Sequence, residues 1–243
     1  KFPGVDLLVP KIDHIESLED NLEAIIISHG HEDHAGAVAY FAKKIKCKVY
    51  ATSFARTLIE NRLNEFSVVD EVNLNTIDIN KNIKLNNFDL NFISTTHSIP
   101  EPNAISIKTK YGTLLHTADW KIDKDPTLGK SFDKNSFEAL GNEGLLALIG
   151  DSTNADVPGF SKSELEVRKE LCKIFSRYNK RIVITCFSSN IARIASIAIA
   201  AKKNNRKVAL IGRSMKQTLA AAVKNNIIKD EDIFINEDEA TYI

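Results

Sequence analysis

The chain has 243 residues, 43% of them hydrophobic and 26% charged, enough material for one large domain or two ordinary ones with a substantial core. No apolar run approaches the ~20 residues that span a bilayer, which excludes a helical membrane protein and leaves a soluble globular chain as the expectation. The formal net charge is zero, but residues 151–243 hold 16 Lys+Arg against 11 Asp+Glu while the first 150 hold 16 against 21. A basic second half suits a polyanionic substrate, and solvated helix faces give the same count.

In chain order, the Ile-rich run Leu22 to Ile27 reads as a buried strand. Ala35 to Lys46 has helical composition, Val49 to Ala51 is strand-like, and Phe54 to Phe66 spaces its apolar residues as a helix does. Between Val68 and Thr95 short alternating segments with Asn and Asp turns predict antiparallel strands. Ala104 to Lys108 and Thr113 to His116 flank a Tyr111-Gly112 turn, which predicts a hairpin with Asp119 just past its end. From Leu145 onward the pattern becomes parallel units: strand Leu145 to Gly150, helix Ser163 to Tyr178, strand Ile182 to Phe187, helix Ile191 to Lys203, strand Lys207 to Gly212 and helix Met215 to Asn225. Ser161 to Glu164 reads as an N-cap with a capping-box acid. The change of style places a domain boundary near 150 to 160, within which the expected domains are 1–154 and 155–243. Cys47, Cys172 and Cys186 show no CxxC spacing and read as buried thiols of a reducing cytoplasm.

The chemistry concentrates in Ser28-His-Gly-His-Glu-Asp-His34, three imidazoles and a carboxylate crowded between a buried strand and a helix. Such groups repel or stay unsatisfied unless a cation collects them, and a divalent metal does so through N and O ligands at about 2.0 to 2.2 Å. His29 and His31 can reach one ion from a loop that Gly30 lets bend, and Asp33 and His34 a second beside it. The competing explanation is a histidine-rich helix N-terminus with Asp33 capping backbone amides. His97 and Asp119 each follow a predicted strand and add a further nitrogen and a carboxylate, while His116 reads as a ligand's neighbour or a core residue and His14 as a surface residue.

The pattern His-x-His-x-Asp-His at 29–34, with His97 and Asp119 at later strand ends, resembles the metallo-β-lactamase superfamily. Ser28 to Gly36, Thr96 to Pro100, Leu115 to Asp123, Gly150 to Asn154 and Phe187 to Asn190 narrow this to a resemblance to the bacterial ribonuclease J family. The resemblance implies an αββα metallo-β-lactamase fold followed by part of an α/β β-CASP domain with parallel strands. It also implies two divalent ions (Zn2+ or Mn2+), with His29, His31 and His97 on one, Asp33 and His34 on the other and Asp119 between them. Asp151 matches the first acidic motif of the β-CASP group, and Ser188, Ser189 and Asn190 are candidate RNA-phosphate contacts, although N-capping accounts for them equally.

Implied activity is metal-dependent 5′-3′ exonucleolytic, and also endonucleolytic, hydrolysis of single-stranded RNA, with a metal-activated water attacking phosphorus and Asp33 and Asp119 in catalytic roles. The implied setting is a cytoplasmic protein without membrane association, homodimeric or homotetrameric at full length. Against that family the chain reads as an internal piece. It lacks the N-terminal strands, an early Asp motif, the rest of the β-CASP domain and the last histidine ligand, so the piece alone is expected to be poorly active. A small-molecule hydrolase of the same fold, such as a thioesterase or lactonase, and a non-catalytic RNA-binding or assembly subunit are the alternative functions.

Overall fold

A computed structural model describes residues 3–4, 8–18, 21–42, 44 and 46–241. It contains two compact units, residues 1–78 and 79–243.

In the first unit a one-turn helix α1 (Asp13–Glu16) precedes strand β1 (Ala24–Ile27), as the Ile run requires. The helix expected over 35–46 is instead a pair of single turns, α2 (Glu32–Ala35) and α3 (Val38–Phe41), separated at Gly36 and Ala37. Then follow β2 (Lys48–Ala51), α4 (Ser53–Glu65) and β3 (Leu74–Thr76), and the three strands form a sheet in the order β1-β2-β3. All pairings are parallel, so β3 does not join the antiparallel set expected from Val68 onward. The reason is topological: α4 carries the chain back across the sheet after β2, and a helical crossover returns the next strand parallel. Ile27, Val49, Ala51, Ala55, Ile59 and Leu63 are the centre of this unit's core. Leu63 is fully buried, and Leu63→Ala is expected to cost ~2 to 5 kcal/mol in urea unfolding, through lost apolar burial and the cavity left behind.

The second unit opens with β4 (Ile83–Lys84), β5 (Asp89–Ser94), β6 (Asn103–Thr109) and β7 (Gly112–His116), consecutive antiparallel neighbours. The β6–β7 register pairs Thr109 with Gly112, so the turn is Lys110-Tyr111 and Gly112 begins the returning strand at φ 142°. Helix α5 (Lys134–Glu143) follows, capped by the Asp133 side chain, which accepts the Ser136 N–H at 3.1 Å. β8 (Ala147–Ile149) then joins the other side of β7 in parallel.

Beyond it lie α6 (Glu164–Arg177), α7 (Ile191–Lys203), β9 (Val208–Ala209), α8 (Arg213–Lys224), β10 (Phe234–Ile235) and α9 (Glu237–Thr241), with β9 and β10 paired in parallel. Helix α7 turns Ile191, Ile194, Ala195, Ala198 and Ala201 inward, the spacing of one helical face. Residues 182–187 alternate half-buried and exposed positions, with Ile182 and Ile184 on the α6–α7 core, yet they form no strand. An extended segment becomes a strand only when a neighbour completes its ladder, and none of the described residues does. Among the described residues no helix is long and apolar enough to cross a membrane. The architecture is mixed α/β, with parallel and mixed sheets, as expected.

Candidate metal centre

In the first unit β1 delivers Ser28 and His29 into the interior, and His29 is fully buried. Its Nε2 lies 3.1 Å from Nδ1 of His31, and the His34 ring stands 4.1 Å from the His29 ring. Two ligand nitrogens on a tetrahedral ion are separated by about 3.3 Å at the usual bond lengths, so the His29–His31 pair already has the spacing of one edge of such a site. Ser28 Oγ sits 3.0 Å from His29 Nδ1, an outer hydrogen bond that leaves Nε2 as the atom available to a cation.

The loop bends at His29 without a left-handed φ at Gly30, and the missing side chain of Gly30 also serves close packing. A Cβ there would lie 3.1 Å from Leu58 and 3.3 Å from the Ala55 Cα on α4. Asp33 is exposed and lies 3.6 Å from His34. Helix α2 has no side-chain cap at its N-terminus, so the motif's residues are not explained as a capped helix start. Glu32, between the donors, is held by Arg62 of α4 at 2.7 Å, an anchor that the sequence reading missed.

In the second unit His97 Nε2 and Asp119 Oδ2 are 3.8 Å apart, both half-buried. Thr96 locks their two loops together: its carbonyl accepts the Lys121 N–H at 2.9 Å, and its hydroxyl donates to Lys121 O and accepts the Asp123 N–H at 3.0 Å. Ala118, next to Asp119, is left-handed at φ 51°, a conformation a non-glycine residue holds only when its surroundings enforce it. The enforcing contacts are on hand, because His116 Nδ1 accepts the Ala118 N–H at 3.1 Å and Thr117 Oγ donates to Ala118 O at 2.9 Å. His116 is therefore the support of the turn before Asp119.

Asp151 is tied to the same region through its N–H, donated to Thr117 Oγ at 3.0 Å. Its carboxylate is held below the ordinary range first by the Thr153 hydroxyl and N–H, and further by the Trp120 N–H and the nearby His97; burial opposes them. His14 is exposed, as expected. The three cysteines are free and half-buried where fully buried thiols were expected.

Farther along the second unit, Ser188 and Ser189 form the turn before α7 and Asn190 caps it, its Oδ1 accepting the Arg193 N–H at 2.9 Å. Ser188 Oγ also lies 3.0 Å from Ser214 Oγ on α8, a partner not foreseen from the sequence. At the start of α6 the cap is Ser163, whose Oγ accepts the Glu166 N–H at 3.1 Å, and not Ser161. Glu164, read as a capping-box acid, instead turns inward to Arg193.

Asp123 is buried, and burial by itself would raise its pKa. The Glu164 and Asp125 N–H groups at 3.0 Å and the Lys121 ammonium at 3.2 Å outweigh that effect and hold it below the ordinary range. A depressed folded-state pKa contributes stability above the unfolded value of ~3.9 that is lost as pH falls through the folded one. Melting temperature is thus expected to drop from about pH 4 downward, and Asp123→Asn to be less stable at neutral pH but flatter over that acid range.

A model of the metallo-beta-lactamase superfamily matches residues 5–120 and one of the ribonuclease J beta-CASP domain matches residues 179–243. Fold and donor chemistry together define a member of the metallo-β-lactamase superfamily that carries β-CASP sequence, a family that binds divalent metal. The chain is 40% identical over 243 residues to Ribonuclease J of Sinorhizobium meliloti, which covers 100% of the chain and 43% of that relative. It is 38% identical over 234 residues to Ribonuclease J 1 of Streptococcus pyogenes (94% and 42%) and 33% identical over 234 residues to Ribonuclease J2 of Bacillus subtilis (96% and 42%). The chain belongs to the ribonuclease J family. It spans less than half the length of these curated relatives. A crystal structure of a protein of unknown function from Enterococcus faecalis V583 shares the fold, with a TM-score of 0.61 at 15% identity over 98% of this chain and 66% of that one.

Proposed function

We propose that the full-length protein carrying this chain is a metal-dependent ribonuclease, hydrolysing phosphodiester bonds of single-stranded RNA from a 5′ end and also internally. Alignment with ribonucleases J along the whole chain carries this reading. The mixed nitrogen and oxygen donors support a site for two divalent ions, Zn2+ or Mn2+. His29, His31 and His97 would hold one, Asp33 and His34 the other, and Asp119 would bridge them. When bound, the ions would acidify the attacking water and neutralise charge on the phosphodiester. Asp33, exposed beside His34, would take that water's proton. Asp151, Ser188, Ser189 and Asn190 would meet the RNA, the last three through hydroxyl, amide and backbone N–H groups at the start of α7.

Residues 1–154 are kept as the metallo-β-lactamase domain and 155–243 as the start of the β-CASP domain. A homodimer or homotetramer in the cytoplasm, where the three cysteines would stay reduced, completes the proposal. The test is incubation of the full-length protein with labelled 5′-monophosphorylated RNA, with and without Mn2+ or Zn2+. Metal-dependent shortening is expected. Cleavage of thioesters or lactones with RNA left intact would replace the reading with a small-molecule hydrolase, and no hydrolysis of either would leave a binding subunit.

A further inference from the structure

We propose that Glu164 and Arg193 are positioning residues for RNA cleavage, holding the Ser188–Asn190 turn in register with the loop that carries Asp119. The inference deepens the ribonuclease reading and rests on it.

A continuous set of contacts within the second unit carries it. Thr96, beside His97, binds the 121–123 segment through Lys121 and Asp123. Asp123 Oδ2 accepts the Glu164 N–H at 3.0 Å, which fixes the first residue of α6 to the segment after Asp119. The Glu164 carboxylate, buried to within 8%, takes both arms of the Arg193 guanidinium, Nε at 2.9 Å and Nη2 at 3.2 Å. Arg193 lies in the first turn of α7, and its own N–H is bound by Asn190. One end of the chain of contacts flanks His97 and Asp119, and the other ends at the half-buried Ser188-Ser189-Asn190 turn.

The choice of groups matters. Packing α6 against α7 needs no buried charge, and an apolar pair of similar volume commonly gives comparable stability. A two-pronged ion pair adds direction, because a planar fork fixes angle as well as distance. That property is what a polymer substrate demands: phosphates held at the α7 turn must present one particular linkage to the Asp119 loop. A small diester that reaches the Asp119 loop alone makes no such demand.

The test uses the full-length protein and two substrates, 5′-monophosphorylated single-stranded RNA and bis(p-nitrophenyl) phosphate, with bound metal measured alongside. Arg193→Lys keeps the charge and loses the fork, and Glu164→Gln keeps the shape and loses the charge. Each is expected to lower kcat/KM on RNA between about 10- and 100-fold, the scale of a small misplacement of substrate, while diester turnover and metal content stay unchanged. The double variant is expected to be no worse than either single one, since both cut the same link.

Equal losses on both substrates with reduced metal would show a structural role only, and unchanged RNA turnover in both variants would show no role; either overturns the proposal. Wild-type protein that cleaves the diester but not RNA would instead remove the ribonuclease reading, and this proposal with it.

Discussion

Replacing Asp119 by alanine in the full-length protein is expected to abolish RNA hydrolysis, with kcat/KM down on the order of 10^3-fold or more, and to lower the bound divalent metal measured by mass spectrometry. The expectation follows from the proposed bridging role. Asp33, the other carboxylate of the set, would belong to one ion, whereas loss of a bridging Asp119 would weaken the hold on both. The side chain is half-buried 3.8 Å from His97, at the end of a turn held by a left-handed Ala118. Asp119→Asn separates charge from shape. It keeps the volume and the support from Thr96 and His116, so a comparable loss would assign the effect to the charge. Full activity and full metal content in Asp119→Ala would remove Asp119 from the site.

Arg193→Ala is expected to be among the most destabilising single substitutions in the second unit. The Glu164 side chain is 8% exposed and that of Arg193 31%. Removing the cation leaves a carboxylate with little water to solvate it, a situation that typically costs ~3 to 5 kcal/mol. The partly solvated guanidinium argues for the lower end, about 3 kcal/mol, and at roughly 2 to 4 °C per kcal/mol a chain of this size would melt ~6 to 12 °C lower. Replacing both partners, Glu164→Leu with Arg193→Met, removes the stranded charge and is expected to recover most of that loss in thermal denaturation. A double variant no more stable than Arg193→Ala would mean that packing, and not the uncompensated carboxylate, sets the cost.

How much of this was legible before any coordinates depends on how far apart the interacting residues lie. The donor-rich loop could be read directly, because His29, His31, Asp33 and His34 fall within six positions after an Ile-rich strand, and three of those groups do cluster tightly at the end of β1. His97 and Asp119 were legible as polar residues past strand ends, and β5 and β7 do end just before them. The supports were not. Asp123 and Glu164 are 41 residues apart, Glu164 and Arg193 are 29 apart, and the local spacing Ser161 to Glu164 imitates a capping box.

Helix α5 has only a faint signal in the sequence, Asp133 as a cap ahead of the apolar pair Phe137 and Leu140. The segment 182–187 has a strand's alternation without a strand's hydrogen bonds, since periodicity records which side chains turn inward and not whether a neighbouring backbone is in reach. The parallel setting of β3 was hidden for a related reason, as three residues of alternating pattern carry no direction.

The account depends on donors from both stretches of the chain sharing divalent cations. Anomalous diffraction from crystals of the full-length protein, collected at the zinc and manganese absorption edges, tests this most directly. Two adjacent peaks are expected, one bounded by His29, His31 and His97, the other by Asp33 and His34, with Asp119 touching both. Crystals grown with either metal in excess that show no peak at these residues, or peaks that contact the His29–His34 loop while His97 and Asp119 bind nothing, would contradict it.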